Sequence, residues 1–283
     1  MNVTHLTIPT QDNFQLAGTV YDAERSSKKV VIINTGTGIL RRYYNTFSQH
    51  LCENGFTVVT YDYRGIGDSR PKSLRGFAVT MREWGQKDIA SMIDWSRQKF
   101  QPTKLFMVGH SAGGQLIGFA ANKHHIDAMI LVAAQSGYWG HWPLPQCLGY
   151  AALWYFMPLL ANIWGYLPSK YLGLGEDLPR GVACEWAKWC RHPQYLFGHE
   201  ETLDLSNYAT LTAPVLAYSF ADDSYAPKRA VEALLQNYPQ ARIVHKHISP
   251  TAVNVKSLGH FGFFRKTVQH TLWRETVEWL HRQ

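Results

Sequence analysis

The chain has 283 residues, 46% hydrophobic and 17% charged, which suits one large domain, or a domain with an insertion, built around a full core. A formal net charge of +7 brings nucleic acid into question, but the basic residues fall in scattered pairs such as Lys28-Lys29, Arg41-Arg42 and Lys228-Arg229, with no basic helix face interleaved with aromatics. That pattern reads as solvated charge and excludes a nucleic-acid module.

In chain order, the pattern predicts strands over 3–8, 14–21, 29–34, 56–61, 104–109, 128–134, 214–220 and 241–248. Helices are predicted over 42–54, 82–99, 112–123, 227–237 and 263–281. The first two strands, joined by Gln11-Asp12-Asn13, read as an antiparallel hairpin. Strands alternating with helices elsewhere imply an α/β chain with a mostly parallel sheet covered on both faces. No repeat, low-complexity tract or linker interrupts it.

Gly109-His110-Ser111-Ala112-Gly113 is the most informative stretch. It follows the short apolar run Lys104–Val108 and precedes a Pro-free run, so it has the strand–turn–helix setting of a G-x-S-x-G nucleophile elbow. A nucleophilic serine needs a sharp, strained turn that exposes Oγ and aims the next amide at an oxyanion. It also needs a base and an orienting acid. Strand-like Pro214–Phe220 ends in Ala221-Asp222-Asp223-Ser224-Tyr225-Ala226-Pro227, and Ser257-Leu258-Gly259-His260-Phe261-Gly262 places a histidine on a glycine-flanked loop. The order is Ser111, then Asp223 with Asp222 as the rival acid, then His260.

With these motifs the chain resembles the serine-nucleophile α/β-hydrolases over nearly its whole length. Asp62-Tyr63-Arg64-Gly65-Ile66-Gly67-Asp68-Ser69 is similar to that family's D-x-R-G-x-G-x-S turn, and Asp223–Pro227 to its D-x-x-x-P acid loop. The likeness is greatest to a branch of bacterial members with no assigned substrate. It implies an eight-stranded α/β-hydrolase sheet in which Ser111 attacks a carbonyl, His260 is the general base and Asp223 orients it. It implies an oxyanion hole made by the Ala112 amide and one from the loop Asn34-Thr35-Gly36-Thr37-Gly38, with Thr37 expected and Gly36 the alternative. Many members carry His-Gly in that loop; this chain does not.

Residues 137–208 fall where the family inserts a cap. They are crowded with tryptophan and tyrosine and punctuated by prolines, and read as a helical lid, leaving 1–136 and 209–283 as the hydrolase core. No Asp, Glu, Lys or Arg occurs from Ala128 to Ser169, and Cys147–Leu167 has the length of a membrane span. A crossing would separate Ser111 from Asp223 and His260, so a buried cap helix is expected, with lipid contact through the cap left open. His110, Arg41, Trp139 and Trp142 are the side chains expected to meet substrate.

The four cysteines have no metal spacing and no Cys-x-x-Cys, and His245-x-His247 lacks companion ligands, so neither metal nor cofactor is expected. The N-terminus enters a strand directly, which points to the cytoplasm. The expectation is a cytoplasmic hydrolase of a carboxylic ester or thioester with an apolar acyl or aryl group. The alternatives are an acyltransferase using the same acyl-enzyme and a non-catalytic binding protein. Oligomeric state is not legible.

Overall fold

The two N-terminal strands, β1 (Asn2–Pro9) and β2 (Gln15–Asp22), pair antiparallel around a turn in which Asn13 takes a left-handed φ of 62°. β1 lies at the sheet edge and is exposed along most of its length, while β2 beside it is buried from Gly18 to Tyr21. β3 (Lys29–Asn34), β4 (Thr57–Tyr61), β5 (Lys104–His110) and β6 (Ala128–Val132) are buried nearly end to end, as parallel strands covered by other elements must be. The structure is a computed structural model and describes residues 1–23 and 27–283.

Between these strands lie α1 (Asn45–Glu53), then α2 (Met81–Glu83), which continues through a π turn into α3 (Ala90–Phe100). Thr80 starts that helix with a capping box: its amide donates to Glu83 Oε2 at 2.7 Å. After β5 comes the short α4 (Ala112–Gln115). After β6 comes the inserted stretch, with α5 (Gln146–Trp164), the two-residue strands β7 (Tyr166–Leu167) and β8 (Leu178–Pro179), α6 (Arg180–Cys190) and α7 (Ser206–Ala209). The chain ends with β9 (Val215–Phe220), α8 (Lys228–Leu235), β10 (Ile243–Ile248) and α9 (Arg274–His281). The main sheet runs β1-β2-β4-β3-β5-β6-β9-β10, with β2 antiparallel to both its neighbours and every other pairing parallel. This is the α/β-hydrolase fold.

Two predicted helices differ from the observed ones for identifiable reasons. The helix expected over 112–123 stops at Gln115 and gives way to single 3₁₀ turns. The carbonyls a longer helix would use are taken by tyrosines: Tyr208 Oη donates to the Gln115 carbonyl at 2.6 Å and Tyr238 Oη to that of Gly114 at 3.3 Å. The helix expected over 263–281 is α-helical only at its end. It begins as 3₁₀ turns and a π turn, held where Trp273 Nε1 donates to the Phe263 carbonyl at 2.5 Å.

The Asp62–Ser69 turn is a junction of buried ions. Asp62 accepts from the Arg41 amide at 2.7 Å and the Asp68 amide at 3.1 Å, and pairs with the Arg41 guanidinium. Arg64 lies between fully buried Asp88 (2.6 Å) and half-exposed Asp12 (2.7 Å). Burial pushes the Asp88 carboxyl up to about 7 against the pull of Arg64. Removing Asp88 leaves a mostly buried cation with only its solvent-side partner. Asp88→Asn should therefore destabilise the fold by about 3 kcal/mol, lowering Tm by about 6–12 °C in thermal denaturation. A shift below about 2 °C would show that Asp12 alone is enough for Arg64.

Candidate active site

Ser111 sits at the end of β5 with φ 51° and ψ −121°, a conformation that costs an L-residue of order 1–3 kcal/mol and persists only where surroundings enforce it. Here they do. The chain turns so tightly that a Cβ on Gly113 would run into the Asn34 carbonyl, and one on Gly109 into Gly114. The Ser111 amide is held by the Val132 carbonyl at 2.9 Å. The result lifts Oγ out of the sheet, half-buried, into a cavity of about 290 Å³ that it shares with Thr37 and His260.

The acid and histidine loops meet beside it. His260 Nδ1 lies 2.8 Å from Asp223 Oδ2, both side chains buried. The other oxygen of Asp223 accepts the Tyr225 and Ala226 amides at 2.8 and 3.0 Å, so both lone-pair edges of that carboxylate are used. Asp222 points elsewhere. Its two oxygens accept the Leu258 and Gly259 amides at 2.9 and 3.0 Å, pinning the histidine loop from below rather than touching the imidazole. Ser111 Oγ makes no hydrogen bond within the chain among the described residues; such bonds often tighten only when a substrate is present.

The Ala112 amide opens α4, where no intrahelical partner is available. In the Asn34–Gly38 loop the two expected donors separate. The Gly36 amide donates to Tyr44 Oη at 2.9 Å and is spent, a correction to its place as the alternative. The Thr37 amide donates to no other group among the described residues and borders the cavity.

Two of the four expected substrate contacts, Arg41 and Trp139, do not border the cavity, and a third, His110, borders it with its ring nitrogens engaged elsewhere. The His110 ring is fully enclosed, with Nδ1 at 2.8 Å from Tyr44 Oη and Nε2 at 2.9 Å from the His260 carbonyl, and burial drives its pKa well below the ordinary value. Arg41 is committed to Asp62, Asp68 and Thr19. Trp139 does not line the cavity, whereas Trp142 does.

The rest of the lining is mostly apolar, and among the helices α5 contributes most to it. Tyr150, Leu153, Trp154 and Met157 recur at helical spacing along α5 and face inward, opposite Leu178 and Trp186. That spacing was readable in the sequence. Nothing there distinguished Tyr44 from Tyr43, because its role comes from a loop eight residues away. The inserted stretch is also bonded to the loops beneath it. Trp142 Nε1 and Tyr150 Oη both donate to the Ser224 carbonyl, at 2.7 and 3.0 Å, and the Glu176 amide donates to the Gly38 carbonyl at 2.8 Å.

The outer face of α5 departs from the buried helix expected. Tyr155, Phe156, Leu159 and Ile163 are 54–64% exposed, and Leu144 and Tyr171 beside them more so. By length and composition this is the one candidate span among the described residues, but only 22% of its apolar window is buried.

A family model for the α/β hydrolase fold matches residues 28–161. That match covers just under half of the chain, which has the α/β-hydrolase fold and is similar to that superfamily. It is 27% identical over 162 residues to a monoglyceride lipase of Saccharomyces cerevisiae, which spans 56% of this chain and about half (49%) of that relative. A solved soluble variant of the monoglyceride lipase of that yeast superposes over 100% of this chain and 97% of its own, with a TM-score of 0.71 and 17% identity. An esterase from Exiguobacterium antarcticum does so over 98% and 100%, at TM-score 0.63 and 17% identity. Est1E from Butyrivibrio proteoclasticus, solved with ferulic acid bound, gives 98% and 98%, TM-score 0.63 and 18%.

The two neighbouring carboxylates should separate by experiment. Asp223→Asn should slow labelling of Ser111 by a fluorophosphonate on the order of 10⁴-fold, since it removes the imidazole's anionic partner. Asp222→Asn should slow it about tenfold or less, through a looser loop. The reverse order would make Asp222 the acid.

Proposed function

We propose that this chain is a serine hydrolase of carboxylic esters or thioesters whose acyl or aryl group is apolar. The observation that carries the reading is the convergence of Ser111, the Asp223-bound imidazole of His260 and the uncommitted Thr37 amide on one apolar cavity, with the Ala112 amide directly after the serine. In this reading Ser111 Oγ attacks the carbonyl carbon as His260 Nε2 accepts its proton. The tetrahedral oxyanion is held by the Ala112 and Thr37 amides, and Asp223 stabilises the imidazolium. Collapse expels the alcohol or thiol, which takes the proton from His260 and leaves an acyl-Ser111. Water, deprotonated by His260, then attacks the acyl carbon, and the carboxylic acid leaves as Ser111 recovers its proton. The aromatic and aliphatic walls from α5 and α6 select the acyl group and exclude bulk water. Residues 137–208 thus act as a cap over the core.

The same reading gives the outer face of α5 an occupant: an anionic bilayer. A row of exposed large apolar side chains along one helix face marks an interaction surface. Its aromatic and aliphatic side chains suit the headgroup boundary. Three arginines rim it without a carboxylate partner among the described residues: Arg75 donates to the Trp164 carbonyl, Arg180 to Asn162 Oδ1, and Arg191 stacks over Tyr155. Cations around an apolar face match anionic headgroups. The inner face of the same helix lines the cavity, so an acyl ester drawn from lipid has a short path to Ser111.

Intact-mass analysis after fluorophosphonate treatment, with peptide mapping, should find a single adduct on Ser111. Folded protein that stays unlabelled would favour a binding role. Ser111→Ala and His260→Ala should each lower kcat on the order of 10⁴-fold, with the double variant little worse, because the groups act as a unit. Additive losses would oppose the mechanism. Products formed with an added alcohol separate hydrolysis from acyl transfer. The protein should co-sediment with phosphatidylglycerol vesicles and much less with phosphatidylcholine. Phe156→Glu/Leu159→Glu should abolish that binding while turnover of a short soluble ester persists. No vesicle binding, with dimers that the same variant dissociates, would instead make the face a self-association surface.

A further inference from the structure

Buried beneath the cavity is a chain of hydrogen bonds whose direction is fixed by chemistry. The His260 carbonyl can only accept, so the His110 Nε2 at 2.9 Å must carry the proton. A ring enclosed to this degree is neutral, so Nδ1 is an acceptor and the Tyr44 hydroxyl, 2.8 Å away, donates to it. The Tyr44 oxygen is then free to accept the Gly36 amide at 2.9 Å. Every donor has one acceptor and every acceptor one donor, from Gly36 N–H through Tyr44 and His110 to the carbonyl of His260.

The chain's two ends are significant. Gly36 adjoins Thr37, His110 adjoins Ser111, and the final acceptor is the backbone of His260 itself. Those residues come from the loop after β3, the last residue of β5 and the loop after β10, which no local turn connects. Packing supports the same contact: the Tyr44 and His110 rings each meet Phe264 edge-on or tilted, at centroid distances of 4.7 and 4.9 Å.

We propose that Tyr44 and His110 are positioning residues that set the register of the oxyanion loop, the nucleophile and the base, and that Tyr44 assigns the oxyanion role to Thr37 by occupying the Gly36 amide. Both side chains are fully buried, and their polar atoms are spent within the protein. Their effect is on geometry in the transition state, where a misplacement of about 1 Å costs on the order of 100-fold.

This inference rests on the hydrolase reading, and its test separates the two. Tyr44→Phe keeps the ring and its packing but breaks the chain at both bonds. It should lower kcat about 10- to 100-fold on a p-nitrophenyl ester with KM changed less than threefold. His110→Gln retains an acceptor and a donor at comparable reach and should recover at least tenfold of the kcat lost in His110→Leu, which fills similar volume without either. Equal kcat in the Gln and Leu variants, or kcat for Tyr44→Phe within twofold of wild type, would overturn the proposal. A wild-type protein that turns over no ester would defeat the hydrolase reading alone. The hydrogen-bond chain is then read by ¹⁵N-edited NMR, where His110 should hold its Nε2–H tautomer from pH 5 to 8. Loss of that tautomer in the wild type would sink the relay independently of activity.

Discussion

A single strained residue organises this molecule. Ser111 holds a positive φ at the end of β5, and the turn around it closes only because Gly109 and Gly113 lack side chains where the Asn34 carbonyl and the α4 backbone press in. The strain is affordable because β5 lies at the centre of eight strands, bonded to β3 on one side and β6 on the other. Moving the elbow would mean moving both neighbours. Since the loops that leave β3, β9 and β10 emerge at the same end of the sheet, the elbow's fixed position is the reference for every other group in the cavity.

Holding those loops in place falls to polar atoms rather than to apolar packing. Asp62 gathers the Arg41 and Asp68 amides, Asp222 gathers the histidine loop, and Asp223 divides its two oxygens between its own loop and the imidazole. Each carboxylate accepts at least two amides or an amide and a ring nitrogen. At Asp62 and Asp223, which are buried, such satisfied networks favour one geometry over its near alternatives, since a slip strands a desolvated charge.

The sequence was most legible where chemistry demands a fixed local pattern. The elbow, the acid pair and the histidine were readable because glycine spacing and strand-to-loop transitions are properties of a few consecutive residues. The strands were readable because burial on both faces removes polar residues. Arg41 was misjudged because its partners, Asp62 and Asp68, are remote; His110 does border the cavity, but Tyr44 and the His260 carbonyl take its ring nitrogens. Helix α4 was overextended because local propensity is silent about tyrosines 93 and 124 residues away that cap its carbonyls. The apolar run at 147–167 was rightly seen as unusual. Its outward face is exposed because α5 lies against the core along one side only, a fact of tertiary placement and not of composition.

The Ser224 carbonyl gives this architecture a mechanical property. It receives two donors from the inserted stretch, Trp142 Nε1 and Tyr150 Oη, and belongs to the residue that follows the carboxylate bonded to His260. Trp142 precedes α5 and Tyr150 lies on it, so any shift of this stretch is felt one residue from Asp223: a single carbonyl oxygen ties the inserted segment to the acid loop.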